Sequence, residues 1–280
     1  MLPEPLSSAR AALDPAPQRN RLLAALPPAV QAALRPSLSR VTLAAGEVLY
    51  GPGTPVTHVY FPETAVASVI TVLADDGTAA TGRMGGPAVE VGTVGCEGLV
   101  GLGVFLSGDE GGIAPATNRQ DGARPSHAAH ASGVPGVRAV AQVAGDAWCM
   151  PADEFAAQAA APGALQLLLL RYTQAYLAQV MQTAACNAAH QVDARCARWL
   201  LTTHDRVAGD RLPLTHEFLA AMLGVRETGV ATALAVLQAR GLVDAGPHAV
   251  VVLDRPGLER ATCACYAAVR AEYVRLLGAA

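Results

Sequence analysis

Residues 212–243 carry the pattern that most constrains the fold, two short helices with a glycine at the turn between them. Thr215 is a good N-cap for a helix over His216–Leu223, because its hydroxyl can accept an otherwise unpaired backbone N–H. Gly224 follows, and glycine most readily takes the left-handed conformation that ends a helix. A second helix is predicted over 226–240. This arrangement is typical of a helix-turn-helix, whose second helix enters the major groove of DNA.

The two faces of the second predicted helix differ in chemistry. Val230, Leu234 and Leu237 fall at i, i+4 and i+7, so they can pack on the first helix. The opposite face is small or polar, as a surface in a groove must be, and carries Glu227, Thr228, Ala231, Thr232, Ala235 and Gln238. A β-prone hairpin follows over 242–244 and 250–253. We expect DNA binding, although an α-hairpin that only packs on protein has the same periodicity.

Composition favours a globular chain of two domains. Of the 280 residues, 52% are hydrophobic, yet no uncharged apolar stretch is long enough to require a bilayer. The N-terminus has no basic segment leading into an apolar core, so no secretory signal is expected and the cytoplasm is the predicted location. The net charge is −3, but residues 192–280 contain ten Arg against nine Asp plus Glu. Phosphate contacts would depend on a few well-placed Arg residues.

The six cysteines are too few and too scattered for a disulfide framework. Cys263 and Cys265 are the only close pair. A metal or redox role is one interpretation, and two packed thiols on a C-terminal helix is the other. Because no second His/Cys pair at ligand spacing is identified in the sequence, no metal ligand is assigned. No catalytic residue is assigned either.

Upstream of the helix-turn-helix, β-prone runs alternate with Gly and Pro, which argues for a small sandwich or barrel. The runs cover 41–43, 47–50, 58–61, 66–73, 89–94, 137–143 and 147–150. Residues 1–19 are rich in Pro and Ala and are predicted to form a flexible arm. About half of the positions in 108–136 are Gly, Ala or Pro, so this segment is predicted to be a disordered insertion.

A long helix is predicted over 164–187. Its apolar stripe consists of Leu165, Leu168, Leu169, Tyr172, Tyr176 and Val180. Such a helix between a β-domain and a DNA reader can serve as a dimer seam, or it can cover the barrel of its own chain. Both roles are compatible.

The order of these parts resembles the Crp/Fnr family of bacterial transcription regulators. The resemblance rests on GEVLYGPGTPVTHVYFPETAVAS, VGTVGCEGLVGLGVFLSGD, the long helix, VDARCARWLL and the helix-turn-helix with RGLV. It implies an α+β fold with an antiparallel β-roll (a double-stranded β-helix) over 20–160, a dimerisation helix over 161–191 and a winged helix-turn-helix over 192–280. It also implies a homodimer that binds palindromic promoter DNA and contacts RNA polymerase, with a sensory β-roll of unknown effector.

The motif that holds a nucleotide phosphate in this family is degenerate here. The Gly-Glu order is reversed at Glu97-Gly98, and Arg138-Ala139-Val140 replaces Arg-Ser/Thr-Ala. Glu97, Gly98 and Arg138 are the candidate effector contacts, but cyclic nucleotide binding is not expected. An iron–sulfur cluster is not expected either, because the first cysteine is Cys96 rather than an N-terminal group. A haem would need an axial ligand such as His58 or Cys96, and nothing singles these out, so no cofactor is predicted.

The resemblance also locates the DNA contacts. Family members present Arg-Glu-x-x-x-Arg, whereas this chain has its Arg-Glu pair one residue out of phase and no second Arg. The candidate DNA contacts are therefore Thr215, Arg226, Glu227, Thr228, Thr232 and, on the wing, His248. Glu can accept from cytosine and Thr can touch a thymine methyl, so the target sequence should differ from the usual family sites.

Two other functions are considered. A protein-interaction or sensor module that does not bind DNA would keep the β-roll but leave no footprint. A cupin-like metalloenzyme would need a His-x-His metal pair, and the chain offers only His58 and Glu63. The sequence therefore predicts a protein that is not an enzyme.

Overall fold

The structure is a computed structural model that describes residues 19–72, 88–107 and 136–278. Except for Arg19 and Gly136, the predicted arm over 1–19 and the predicted insertion over 108–136 lie outside the described residues.

The N-terminal part is an antiparallel β-roll, as predicted. Its two sheets have the strand orders β1-β7-β3 and β2-β6-β4-β5. The strands are β1 Ser39–Leu43, β2 Val48–Tyr50, β3 His58–Pro62, β4 Val66–Val72, β5 Ala88–Val94, β6 Val137–Val143 and β7 Gly145–Pro151. Four short helices accompany them, α1 Arg21–Ala25, α2 Pro28–Leu34, α3 Leu102–Ser107 and α4 Ala152–Ala160, with a 3-10 turn at Arg35–Ser37.

The long helix α5 spans Ala164–Ala189, two residues beyond its predicted end. Leu165, Leu169 and Tyr172 are buried in one apolar core with Phe61 and Phe155 of the β-roll. The predicted stripe therefore covers the barrel of its own chain rather than forming a free seam. Other apolar side chains of α5 are more than half exposed, namely Leu167, Leu170, Leu177 and Met181.

The C-terminal part is a winged helix-turn-helix followed by two further helices. Its helices are α6 Val192–His204, α7 His216–Leu223, α8 Glu227–Ala239, α9 Arg255–Ala261 and α10 Cys265–Leu277. The wing has the order β8-β10-β9, with β8 Arg211–Leu212, β9 Val243–Ala245 and β10 Val250–Val252. The hairpin was predicted, but β8 was not, because two residues carry no periodic signal.

The two parts share a core. Ile70 of β4 is buried in the same apolar cluster as Trp199 of α6 and the helix-turn-helix residues Leu219, Val230 and Leu234. Helix α10 runs antiparallel to α5, because Gln182 contacts Cys265 while Gln174 contacts Glu272. Among the described residues no single helix is long and apolar enough to cross a membrane, although α7 and α8 taken together as a bent pair meet that test of length and composition.

Candidate nucleic-acid interface

The helix-turn-helix has the local geometry that its sequence predicts. Thr215 caps α7, since its Oγ1 accepts a hydrogen bond from the Phe218 N–H at 3.1 Å. Gly224 ends α7 in the left-handed region, with φ of 62°. The chain bends by 105° between α7 and α8, within the range of helix-turn-helix motifs. Val230 is fully buried and fixes α8 against α7.

The polar face of α8 is open to solvent. Glu227, Thr228 and Thr232 are exposed, and so is Arg226, which occupies the N-cap position of α8. The Thr232 hydroxyl donates to the Thr228 carbonyl at 2.9 Å. Arg226 forms no ion pair with any residue that the structure describes, so its guanidinium is available to an external anion. His248 is exposed in the turn between β9 and β10, at the tip of the wing.

Gly229 lies inside α8, where glycine costs about 1 kcal/mol relative to alanine. A Cβ at this position would meet only Val225, at 3.9 Å. Packing within the described chain therefore does not require glycine here. Because Gly229 has no side chain, the backbone in the first turn of α8 stays accessible to solvent.

A buried ion pair joins the β-roll to the winged helix-turn-helix part, and sequence reasoning did not find it. Arg206, just after α6, donates to Glu97 Oε1 from Nη2 at 2.7 Å and from Nε at 2.9 Å. The side chains of Arg206 and Glu97 are only 8% and 9% exposed. Burial opposes ionisation of Glu97, but the charge and hydrogen bonds of Arg206 outweigh it and hold the pKa of Glu97 below its usual value. Thr93 Oγ1 accepts a third bond from Arg206, at 2.7 Å.

A second polar contact crosses the same boundary. Glu90 of β5 accepts from the Trp199 indole N–H at 2.9 Å, and its other oxygen lies 2.6 Å from Ser68 Oγ. Ser68 Oγ is also 2.9 Å from the Gln142 carbonyl oxygen, and Gln142 donates to Thr203. The Ser68 hydroxyl has one proton and cannot donate to both Glu90 and Gln142. A protonated Glu90 solves this, because it donates to Ser68 Oγ while Ser68 donates to the Gln142 carbonyl oxygen. Burial raises the pKa of Glu90 to about 7.

The structure does not gather the three candidate effector residues into one cradle. Glu97 is committed to Arg206. A Cβ on Gly98 would collide with the Tyr172 hydroxyl, so Gly98 permits the close approach of α5. Arg138 lies on β6, which is separated from β5 by β4. A cavity of about 360 Å³ between β5, α5, α6 and α10 is lined by Glu97 but not by Arg138 or Gly98.

The other sequence candidates are also separated. His58 is exposed on β3, where its ring contacts Thr57, while Glu63 accepts from the Arg19 backbone N–H. Cys96 is half-buried in the loop after β5. In contrast, Cys263 and Cys265 have neighbours that sequence reasoning missed, Cys186 and His190 at the end of α5. The expectation that no second His/Cys pair accompanies them is wrong.

Comparisons with known proteins agree with this geometry. The family model of the Crp-like helix-turn-helix domain matches residues 194–261. No curated protein sequence matches the chain.

Similar solved structures share the architecture at low sequence identity. FixK2 from Bradyrhizobium japonicum has a TM-score of 0.57 and 16% identity, covering 81% of this chain and 98% of its own. A CRP-family transcriptional regulator from Thermus thermophilus has a TM-score of 0.54 and 20% identity, covering 79% and 95%. A CRP/FNR-family regulator from the same organism has a TM-score of 0.53 and 18% identity, covering 79% and 97%. The predicted resemblance is thus confirmed, since residues 194–261 are a Crp-like helix-turn-helix domain and the chain has the fold of Crp/Fnr transcription regulators.

Proposed function

We propose that the protein is a homodimeric transcription regulator that reads promoter DNA in the cytoplasm with α8. The observation that carries this proposal is the open polar face of α8, with Arg226 at its N-cap, which has no ion pair among the described residues. His248 is exposed in the turn of the wing. In this proposal Arg226 contacts a phosphate, and Glu227, Thr228 and Thr232 meet base edges. Contact with RNA polymerase belongs to the same proposal.

A stripe on α5 supports the homodimer. The stripe consists of positions at steps of three and four residues, the spacing of a coiled-coil seam, namely Leu167, Leu170, Gln174, Leu177 and Met181. Of these, Gln174 also contacts Glu272 of α10. The four apolar members are between 52% and 60% exposed in the single chain. A second copy of α5 would bury this stripe and place two reading helices on one duplex. Such pairs bind half-sites about one helical turn apart.

The β-roll is proposed as the sensory part, and its effector is not a cyclic nucleotide. The arrangement of Glu97, Gly98 and Arg138 supports this view, because Glu97 is already neutralised by Arg206 and Arg138 lies two strands away. A signal would act by shifting the balance between two arrangements of α5 and the DNA reader.

DNA reading can be tested by selecting binders from a library of randomised duplexes with the full chain. We expect a palindromic motif with half-site centres about 10 bp apart. Thr228→Ala should relax the base preference at one position per half-site. Arg226→Ala should weaken binding to all sequences, and should lower the slope of log affinity against log salt concentration by about one per phosphate contact. Arg40→Ala, an exposed charge on β1, is the matched control. Failure to enrich any motif at low salt would overturn the proposal.

The dimer is tested separately by sedimentation of the full chain. Leu177→Glu should convert the dimer to a monomer, because it places like charges face to face on the seam. Leu106→Glu on α3 introduces the same charge at a comparably exposed leucine and should leave the dimer intact. A wild-type chain that sediments as a monomer at micromolar concentration contradicts the seam but leaves DNA reading by α8 open to its own assay.

A further inference from the structure

Three cysteines and one histidine converge where the long helix ends. Cys186 and His190 lie one turn apart at the C-terminus of α5, and Cys263 and Cys265 lie at the junction between α9 and α10. The four ligand atoms all lie within 4.8 Å of one another. Cys186 Sγ is 3.5 Å from Cys263 Sγ, and Cys265 Sγ is 3.5 Å from His190 Nδ1.

The two 3.5 Å separations match the edges of a small tetrahedron, and the remaining pairs lie within 4.8 Å. Bond lengths of about 2.3 Å to sulfur and 2.0 Å to nitrogen place the ligand atoms of a tetrahedral zinc site roughly 3.5–3.8 Å apart. The i, i+4 spacing of Cys186 and His190 puts both ligands on one face of α5. A set of three thiolates and one imidazole is a known closed zinc set. We therefore propose that Cys186, His190, Cys263 and Cys265 bind a single thiophilic divalent ion, Zn²⁺ in the first instance.

The surroundings suit the charge of such a centre. Three thiolates, a neutral imidazole and Zn²⁺ sum to one negative charge, which needs compensation in a partly buried place. Arg195 and Arg198 of α6 are 7% and 8% exposed, and the Nε of each has no hydrogen-bond partner among the described residues. Both interact electrostatically with Cys186 and Cys263. Gln182 also donates to Cys265 Sγ at 3.0 Å, as outer groups do to zinc-bound thiolates.

The position of the site gives it a mechanical role. Only His190 and Gln191 separate α5 from α6. The ion ties this short connection to the start of α10, which packs antiparallel along α5. It therefore fixes the angle at which the DNA reader leaves the long helix. This site goes beyond the proposed function, because DNA reading by α8 does not require it.

The experiment uses the reduced full chain after removal of metal with a chelator, and the probe is Co²⁺ alone. We expect one Co²⁺ per chain, with the intense visible bands of tetrahedral cobalt and a thiolate-to-cobalt charge-transfer band, both abolished by added Zn²⁺. His190→Asn is the main variant, since His190 is exposed and the fold should tolerate the change. Loss of one ligand should weaken binding at least about 100-fold, because changes to outer groups alone cost about 10–100-fold. Cys263→Ser should act in the same way.

Cys149→Ser, a buried thiol on β7 outside the cluster, is the control and should bind as the wild type. Three results would overturn the proposal. The first is no charge-transfer band in the wild type. The second is a Cys186–Cys263 disulfide in the chain as purified, before reduction, shown by loss of two alkylatable thiols that reductant restores. The third is equal cobalt affinity in His190→Asn and wild type. None of these results bears on the DNA selection assay, so the two proposals fail independently.

Discussion

The buried ion pair between Glu97 and Arg206 gives the sharpest test of how the β-roll is joined to the winged helix-turn-helix part. Glu97→Gln keeps the shape of the side chain but leaves the Arg206 guanidinium without a counter-charge, in a place where the Arg206 side chain is only 8% exposed. Removing one partner of a buried pair costs about 3–5 kcal/mol. That is a large part of a total stability of about 5–15 kcal/mol, so the variant should fold but unfold at a clearly lower urea concentration.

The same pair permits a double-mutant cycle with Arg206→Met. Each single variant leaves one buried ionisable group unpaired, whereas the double variant leaves none, so its cost should fall short of the sum by at least about 2 kcal/mol. Unfolding is followed by circular dichroism and by the fluorescence of the two tryptophans, Trp148 in β7 and Trp199 in α6. Arg40→Gln, which breaks an exposed pair with Asp146, should cost less than about 1 kcal/mol. A Glu97→Gln cost below about 1 kcal/mol, or strict additivity, would refute the reasoning.

Three further outcomes are expected. Between about pH 4.5 and 7 the folded chain keeps a proton on Glu90 that the unfolded chain loses. The free energy of unfolding should therefore fall by up to about 3 kcal/mol as the pH rises through this range. Glu90→Gln should flatten this decline, which urea titrations from pH 5 to 8 would measure. Gly98→Ala forces the Tyr172 ring to move and should cost about 1–3 kcal/mol in thermal melts. Gly163→Ala, whose Cβ would meet only the Ala161 carbonyl oxygen at 4.0 Å, should cost clearly less. Thr215→Ala should cost about 1 kcal/mol through loss of the cap, and Thr215→Ser should restore it; equal melts of the two variants would contradict the cap.

Local signals in the sequence predicted the elements but not every surface. The start and end of α7 followed from Thr215 and Gly224, because caps and left-handed glycines act within one turn of the chain. The strands also fell close to their predicted positions. For α5 the periodicity identified the stripe that packs on its own barrel. It did not reveal the second, exposed stripe, because the helix is apolar on several faces. Leu165 and Leu169 face inward, and Leu167 and Leu170 face out.

The interdomain contacts could not be predicted from one sequence. Glu97 and Arg206 are 109 positions apart, and Cys186 and Cys263 are 77 apart. No sequence spacing identifies either pair, because only the folded chain brings its two residues together. The only available signals were a Cys-x-Cys pair and a Cys-x-x-x-His turn, each weak when read alone. Their meeting at one point is a property of the packing of α10 on α5.

The apolar cluster that Ile70 shares with the helix-turn-helix has a consequence for how this protein can be dissected. If residues 192–280 were expressed alone, the surface that lies on β4 and β5 would be exposed to water, including the indole of Trp199 and the guanidinium of Arg206. The excised reader would lose its contacts with Glu90 and Glu97 together. Its affinity for DNA would then describe a loosened fragment, so recognition should be measured on a chain that keeps the β-roll.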